Sequence, residues 1–105
     1  MKLFTNNYTP NDSATLATLA EASQAGYAPI TLAGTNWTTT LTAGLATAVY
    51  SEQTFSFTTG VNVYGYFVVD TTGTKLLWLE RFSGAPFTLP SGGGTIAITS
   101  RVTLD

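Results

Sequence analysis

The chain has no cysteine and no histidine, and only 10% of its residues are charged. Each shortage removes chemistry. Without cysteine there is no disulfide and no thiolate ligand. Without histidine as well, a Ser-His-Asp or Cys-His nucleophile cannot be assembled within the chain, and zinc in its usual ligand sets is excluded. The four basic residues, Lys2, Lys75, Arg81 and Arg101, are scattered. They make no patch able to neutralise a phosphate backbone, so no nucleic-acid partner is expected. Long apolar runs are missing too. The uncharged stretch from Ala22 to Ser51 is broken by Gly26, Pro29, Gly34, Asn36 and a run of threonines, whereas a helical span needs about 20 mainly apolar residues. The opening residues, Met1 to Asn7, turn polar too soon to hold the apolar segment of a secretory signal. No membrane partner is expected.

What remains is threonine, glycine and aromatic side chains. Twenty-one of the 105 residues are threonine, ten are glycine, 12% are aromatic and 44% are hydrophobic. A chain that disordered would be richer in charge and poorer in aromatics, so a folded domain is expected. Its length fits one domain, residues 1–105, able to bury roughly two thirds of its unfolded surface. Ordinary soluble domains carry about 25% charged residues. Charge is depleted at the centres of protein interfaces, and a net charge near zero, here −2, promotes association. Composition therefore points to a surface that is partly covered by other subunits, the alternative being a monomer whose surface is solubilised by Thr, Ser and Asn.

The pattern along the chain is β. Lys2 to Thr5 reads as a short strand closed by Asn6-Asn7 and Pro10. A short N-terminal helix follows, capped by Asp12 or Ser13, with Leu16 and Leu19 on one face and Gly26 as its stop. Trp37 to Leu41 reads as a strand ending before Gly44. Thr47 to Thr58 alternates, with a bend expected near Ser51-Glu52. The clearest element is the hairpin VNVYGYFVVD-TTG-TKLLWLERF. Val61, Val63, Gly65, Phe67 and Val69 share one face in this reading, Tyr64, Tyr66 and Val68 the other, and Asp70 to Gly73 make the turn. Phe87 to Leu89 is a short strand, with Pro86 before it as a candidate cis-proline. Thr95 to Leu104 is the last, with Ile96, Ile98, Ser100, Val102 and Leu104 on one face. Six to eight short strands separated by turn signals predict an all-β antiparallel sandwich, jelly-roll-like, with the one short helix.

Few residues invite chemistry. The carboxylates, Asp12, Glu21, Glu52, Asp70, Glu80 and Asp105, show no spacing that would set two of them across a substrate. No enzyme activity and no cofactor are expected. Asp70 to Thr74 has one acid where a calcium loop needs several oxygen ligands, and a hairpin turn explains it better. Glu80-Arg81 is sharper. Neighbours in a strand face opposite ways, so Glu80 joins Trp78 and Phe82 while Arg81 joins Leu77 and Leu79. A charge in an apolar row needs a partner. Either both residues lie at an exposed strand end, or one pairs across a subunit boundary. Trp37, Tyr64, Tyr66 and Trp78 would stack sugars if exposed together; otherwise they are core.

The segments LFTNNYTP, GYAPITL and VYGYFVVD-TTGTKLLWLERF-SGAPFTLPSGG resemble small virion-associated proteins of tailed bacteriophages. The resemblance implies a structural role in the virion, as a capsid decoration (cement) protein or a small tail or fibre component. It also implies a homo-oligomer, with a trimer favoured, and the major capsid protein as partner. An extended N-terminal arm, Met1 to Pro10, would serve as tether. The expected assembly interface is Leu3, Phe4, Tyr64, Tyr66, Trp78, Glu80 and Arg81. Should the chain instead be a tail or fibre component with a carbohydrate-binding role, Trp37, Tyr64, Tyr66 and Trp78 are the residues for it.

Overall fold

A computed structural model describes residues 1–104. Its strands are β1 (Lys2–Phe4), β2 (Trp37–Thr42), β3 (Leu45–Tyr50), β4 (Gln53–Phe57), β5 (Val61–Val63), β6 (Gly65–Val69), β7 (Leu76–Arg81), β8 (Phe87–Leu89), β9 (Gly94–Ile98) and β10 (Arg101–Leu104). They pair antiparallel in four small sheets, ordered β1-β6-β7, β10-β3-β2, β4-β9 and β5-β8. The fold is all-β, as the alternation predicts.

The core forms where three of these sheets meet. Met1, Leu3, Ala22, Phe55, Phe57, Val61, Val63, Tyr66, Leu89, Ile96 and Ile98 make one buried cluster. Tyr27 stacks on Phe55 and Phe57 at its side, with centroids 5.9 and 5.7 Å away.

The short N-terminal helix does not form. Between Asp12 and Gly26 there is only a single 3-10 turn, Leu16–Thr18. Local side chains outcompete the helix for its backbone. The Thr18 hydroxyl donates to the Thr15 carbonyl at 2.7 Å and accepts from the Thr15 N–H at 3.2 Å, closing the turn on itself. Asn6 Nδ2 donates to the Thr18 carbonyl at 2.8 Å, and the Ala20 N–H donates to Asn6 Oδ1 at 2.9 Å. The next residues run extended beside β1: the Thr5 N–H reaches the Ala20 carbonyl at 2.8 Å, and the Ala22 N–H the Leu3 carbonyl at 2.9 Å.

β1 is thus held on both edges, by β6 and by residues 20–22. Leu3 and Phe4 are fully buried and Met1 nearly so. Met1, Leu3 and Phe4 are thus core, within the stretch Met1 to Pro10 expected as an extended arm.

Two breaks in alternation decide which side chains face inward. Ser51-Glu52 separates β3 from β4 at the expected bend, so that Tyr50, Phe55 and Phe57 are all buried. Tyr64 separates β5 from β6. Because of that break Val61, Val63 and Tyr66 all enter the same cluster, which a continuous two-residue alternation forbids. The opposite face of β6 carries Gly65 and buried Phe67, with the Phe4 ring packed where a Gly65 side chain would otherwise stand. The Ala85–Pro86 peptide bond is cis.

Candidate functional site

Antiparallel register places Leu3 opposite Tyr66 and Tyr66 opposite Glu80, in one row across β1, β6 and β7. Val68 and Trp78 make the next row on the same face. The Tyr66 hydroxyl donates to Glu80 Oε2 at 2.7 Å. Trp78 Nε1 points at the same oxygen from 3.4 Å. Burial pushes the Tyr66 hydroxyl up to about 12, and the neighbouring Glu80 carboxylate adds to the shift by favouring the proton. Among the described residues Ser100 Oγ is buried with no hydrogen bond of good geometry, although it lies close enough to the Tyr66 hydroxyl to oppose part of that shift.

Arg81 lies on the other face, as strand alternation predicts. Its guanidinium donates to the Tyr8 carbonyl at 3.0 Å and sits 5.2 Å from the centre of the Tyr64 ring. A cation at that distance from an aromatic face is attracted to it. Glu80 and Arg81 therefore each have a partner within the chain. Glu80 anchors two aromatic rings, and Arg81 fastens the segment after β1 across the back of the sheet.

The residues singled out in the sequence divide into four groups. Leu3 and Phe4 are sealed in the core and present no surface. Tyr66, Trp78 and Glu80 come together, with Tyr66 only 3% exposed. Tyr64 and Arg81 make a separate pair behind them. Trp37 belongs to another sheet, where it meets Tyr50 edge to face at 5.1 Å. The four aromatic rings proposed for sugar stacking are thus distributed over three places and form no common platform.

The carboxylates are likewise dispersed, and Asp105 lies outside the described residues. Among the described residues no group of three potential metal ligands converges. Asp70 is fully occupied by its own turn. Its Oδ1 accepts from the N–H groups of Thr74 at 2.9 Å and Lys75 at 3.0 Å, and its Oδ2 from the Thr72 hydroxyl at 2.7 Å. These bonds, the Thr72 hydroxyl foremost, hold its carboxyl below the usual range. Among the described residues no helix is long and apolar enough to cross a membrane.

The feature that sequence reasoning missed is the sheet β10-β3-β2. A two-residue turn at Ala43-Gly44, with φ of 50° and 81°, closes β2 on β3. That both residues have positive φ matches a type I′ hairpin turn. Beyond Trp37 every residue of β2 is exposed, as is every residue of β10. Leu41 is 74% and Leu104 72% exposed. Beside Leu104 lies a shallow depression lined by Thr39, Thr40, Ala46, Thr47, Ala48, Val102 and Leu104. The sequence signal for β10 misleads, because Val102 and Leu104 continue the period of buried Ile96 and Ile98.

No protein-family model, curated protein or solved structure matches the chain.

Proposed function

We propose that the chain is a structural protein of a tailed-bacteriophage particle, working without catalysis, and that its role is capsid decoration. It clamps neighbouring capsid subunits non-covalently. Its partners are the major capsid protein and other copies of itself, and its place is the capsid surface ahead of the tail. The sequence resemblance motivates the biological setting. The observation that carries the physical part is the open sheet β10-β3-β2. Edge strands are normally blunted by charge, proline or a covering loop. Here β2 is an edge of six residues with neither charge nor proline, and β10, the other edge, has only Arg101. Such a sheet is suited to being covered by a neighbour.

The sheets that share the core fit a sandwich of the jelly-roll kind, and we adopt that architecture for the domain. Dispersal of Trp37, Tyr64, Tyr66 and Trp78 deprives a sugar of a continuous stacking surface, which sets assembly ahead of a carbohydrate-binding tail or fibre role.

The test is the copy number of the chain in purified particles, by quantitative mass spectrometry against the major capsid protein. Hundreds of copies support decoration. A handful, in multiples of three or six, would move the chain to the tail or a vertex, and none would overturn the virion reading.

A further inference from the structure

The sheet β1-β6-β7 ends in a free edge. β7 pairs with β6 on one side and with no strand on the other. One bond fixes the direction of its backbone groups. The Phe82 N–H donates to the Tyr64 carbonyl at 2.9 Å, so the backbone of Phe82 faces β6. Alternation turns the N–H and C=O of Glu80 and Trp78 the same way, and those of Leu79 and Arg81 outward. Outward groups on an edge are a template for a further strand. The approach is open as well: beside the start of β7 a cleft of about 600 Å³ lies between residues 14–17 and residues 74–77.

Glu80 decides what kind of strand suits this edge. The row Leu3, Tyr66, Glu80 crosses the sheet and stops there. The Glu80 carboxylate is exposed yet held in place, because Oε2 accepts from the Tyr66 hydroxyl and faces Trp78 Nε1. No cation answers its charge. Among the described residues the one ion pair is Lys2 with Glu21. With the Glu80 backbone turned toward β6, a residue added opposite it falls in a pair without mutual backbone hydrogen bonds. Cα atoms then approach to about 4.5 Å and side chains meet most closely. A charge on an edge repels stray strands. A charge held in one orientation also selects, favouring the strand that brings its counter-charge to that position.

We infer that β7 binds an extended segment of another protein as an added antiparallel strand, with a basic residue of that segment opposite Glu80. Arginine suits the position better than lysine. Its planar guanidinium takes a carboxylate and lies against an aromatic ring together, and Trp78 is the next residue along the same face.

A second copy of this chain does not supply that strand. Cross-strand partners share a face. β7 has no cation on the face of Glu80, and β2 has none at all. Lys75 lies outside the strands, Lys2 is held by Glu21, and Arg81 is fastened to Tyr8 behind the sheet. Arg101 of β10 is out of phase. The Tyr50 N–H donates to the Ser100 carbonyl at 2.9 Å, which turns the backbone of Ser100 toward β3 and that of Arg101 outward. The residue opposite Glu80 must instead turn its backbone away from β7. The antiparallel direction is that of every strand pair in the fold. β7 belongs to a different sheet from β10-β3-β2, so covering that sheet leaves this edge open. The inference goes beyond the role proposed for that sheet and does not rest on it.

The test is a nuclear magnetic resonance titration of the isotope-labelled full chain. The probe is a short end-blocked peptide that alternates threonine and valine around one central arginine. The Trp78 indole N–H should shift and the amides of Leu79 and Arg81 should gain exchange protection, with saturation below about 2 mM; the Trp37 indole should not move. Glutamine in place of the peptide's arginine should weaken binding roughly three- to fivefold, the size of an ion pair at a surface, and glutamate should weaken it further. Glu80→Gln, which keeps an acceptor for Tyr66, should weaken the arginine peptide by the same factor and abolish its preference over the glutamine peptide. Glu52→Gln should bind as the wild type does. No response at Trp78, Leu79 and Arg81 would overturn the inference, as would equal binding of the arginine and glutamate peptides. So would protection at Leu79 and Arg81 that rises with the concentration of the chain alone, which would make the occupant a second copy. The peptide arms use the wild-type chain, so they decide the matter even if Glu80→Gln fails to fold. Their outcome is separate from the copy number in particles, and either reading can fail alone.

Discussion

Replacing Gly65 with alanine should be the most damaging small change in the sheet that carries the Tyr66–Glu80 pair. Gly65 stands between Phe4 of β1 and Arg81 of β7. A Cβ there would overlap the Glu80 carbonyl oxygen and come within 2.6 and 2.7 Å of two Phe4 ring atoms. Neither neighbour has room to give. The carbonyl belongs to the adjoining strand, and the Phe4 ring is fully buried. Overpacking a core typically costs about 1–3 kcal/mol, and a backbone contact on one side with a sealed ring on the other puts Gly65 at the upper end. Alanine also reduces the freedom of the unfolded chain, which returns roughly 0.5–1 kcal/mol. The net loss is about 2–2.5 kcal/mol. At about 4–8 °C per kcal/mol for a domain near this size, the midpoint should fall by roughly 8–20 °C. Thermal unfolding followed by near-ultraviolet circular dichroism measures it. Gly34→Ala is the control, because a Cβ at Gly34 meets nothing within 4 Å, and its midpoint should stay within a few degrees. A Gly65→Ala midpoint within about 4 °C of the wild type would refute the close approach of β6 to β7 and Phe4.

Two further outcomes follow from the same packing. Burial raises both Tyr27 and Tyr66 above the tyrosine value of the unfolded chain, Tyr66 to about 12. Stability should therefore be full below about pH 10 and fall as pH rises from 10 toward 12, where the unfolded chain gives up protons that the fold retains. Each tyrosine adds at most about 1.4 kcal/mol per pH unit; screening at the exposed Glu80 brings the Tyr66 share to about 1–2 kcal/mol in total, and urea midpoints of Tyr66→Phe should show a shallower alkaline decline. Deleting residues 1–5 removes fully buried Leu3 and Phe4 together with the strand that carries them. At about 1.5–3 kcal/mol for each side chain, before any lost backbone pairing, that is comparable to the whole stability of a domain. The truncated chain should lack a cooperative melt, and a folded truncated domain would contradict the placement of β1.

Much of this fold is legible in the residues alone, and what is not has identifiable causes. The turn at Asp70–Gly73, the bend at Ser51-Glu52, the short strand Phe87–Leu89 and the opposed faces of Glu80 and Arg81 all follow from local patterns: turn chemistry, and the two-residue period of a strand. The helix expected between Asp12 and Gly26 fails partly through the local Thr15–Thr18 turn and partly through a distant competitor, because Asn6 and β1 capture the backbone around Thr18 to Ala22. The inversion at Tyr64 is invisible because the period looks intact on either side of it. The exposed sheet is the hardest case. Ile96 and Ile98 are buried while Val102 and Leu104, in the same alternation, are exposed; whether a strand stays with the core is a tertiary property that no local period carries. Only part of the candidate site is therefore recoverable. Tyr66, Trp78 and Glu80 share a face that alternation predicts, whereas Leu41, Ala46, Ala48 and Leu104 become a surface only once β2, β3 and β10 are paired.

The most direct test of assembly through the sheet β10-β3-β2 is amide hydrogen exchange on the chain in particles compared with the same chain free and dilute. Added protection should be confined to residues 37–49 and 101–104. Core segments such as 2–4 and 61–69 should be equally protected in both states. No added protection at 37–49 and 101–104, or protection gained elsewhere on the surface in their place, would contradict the role assigned to this sheet.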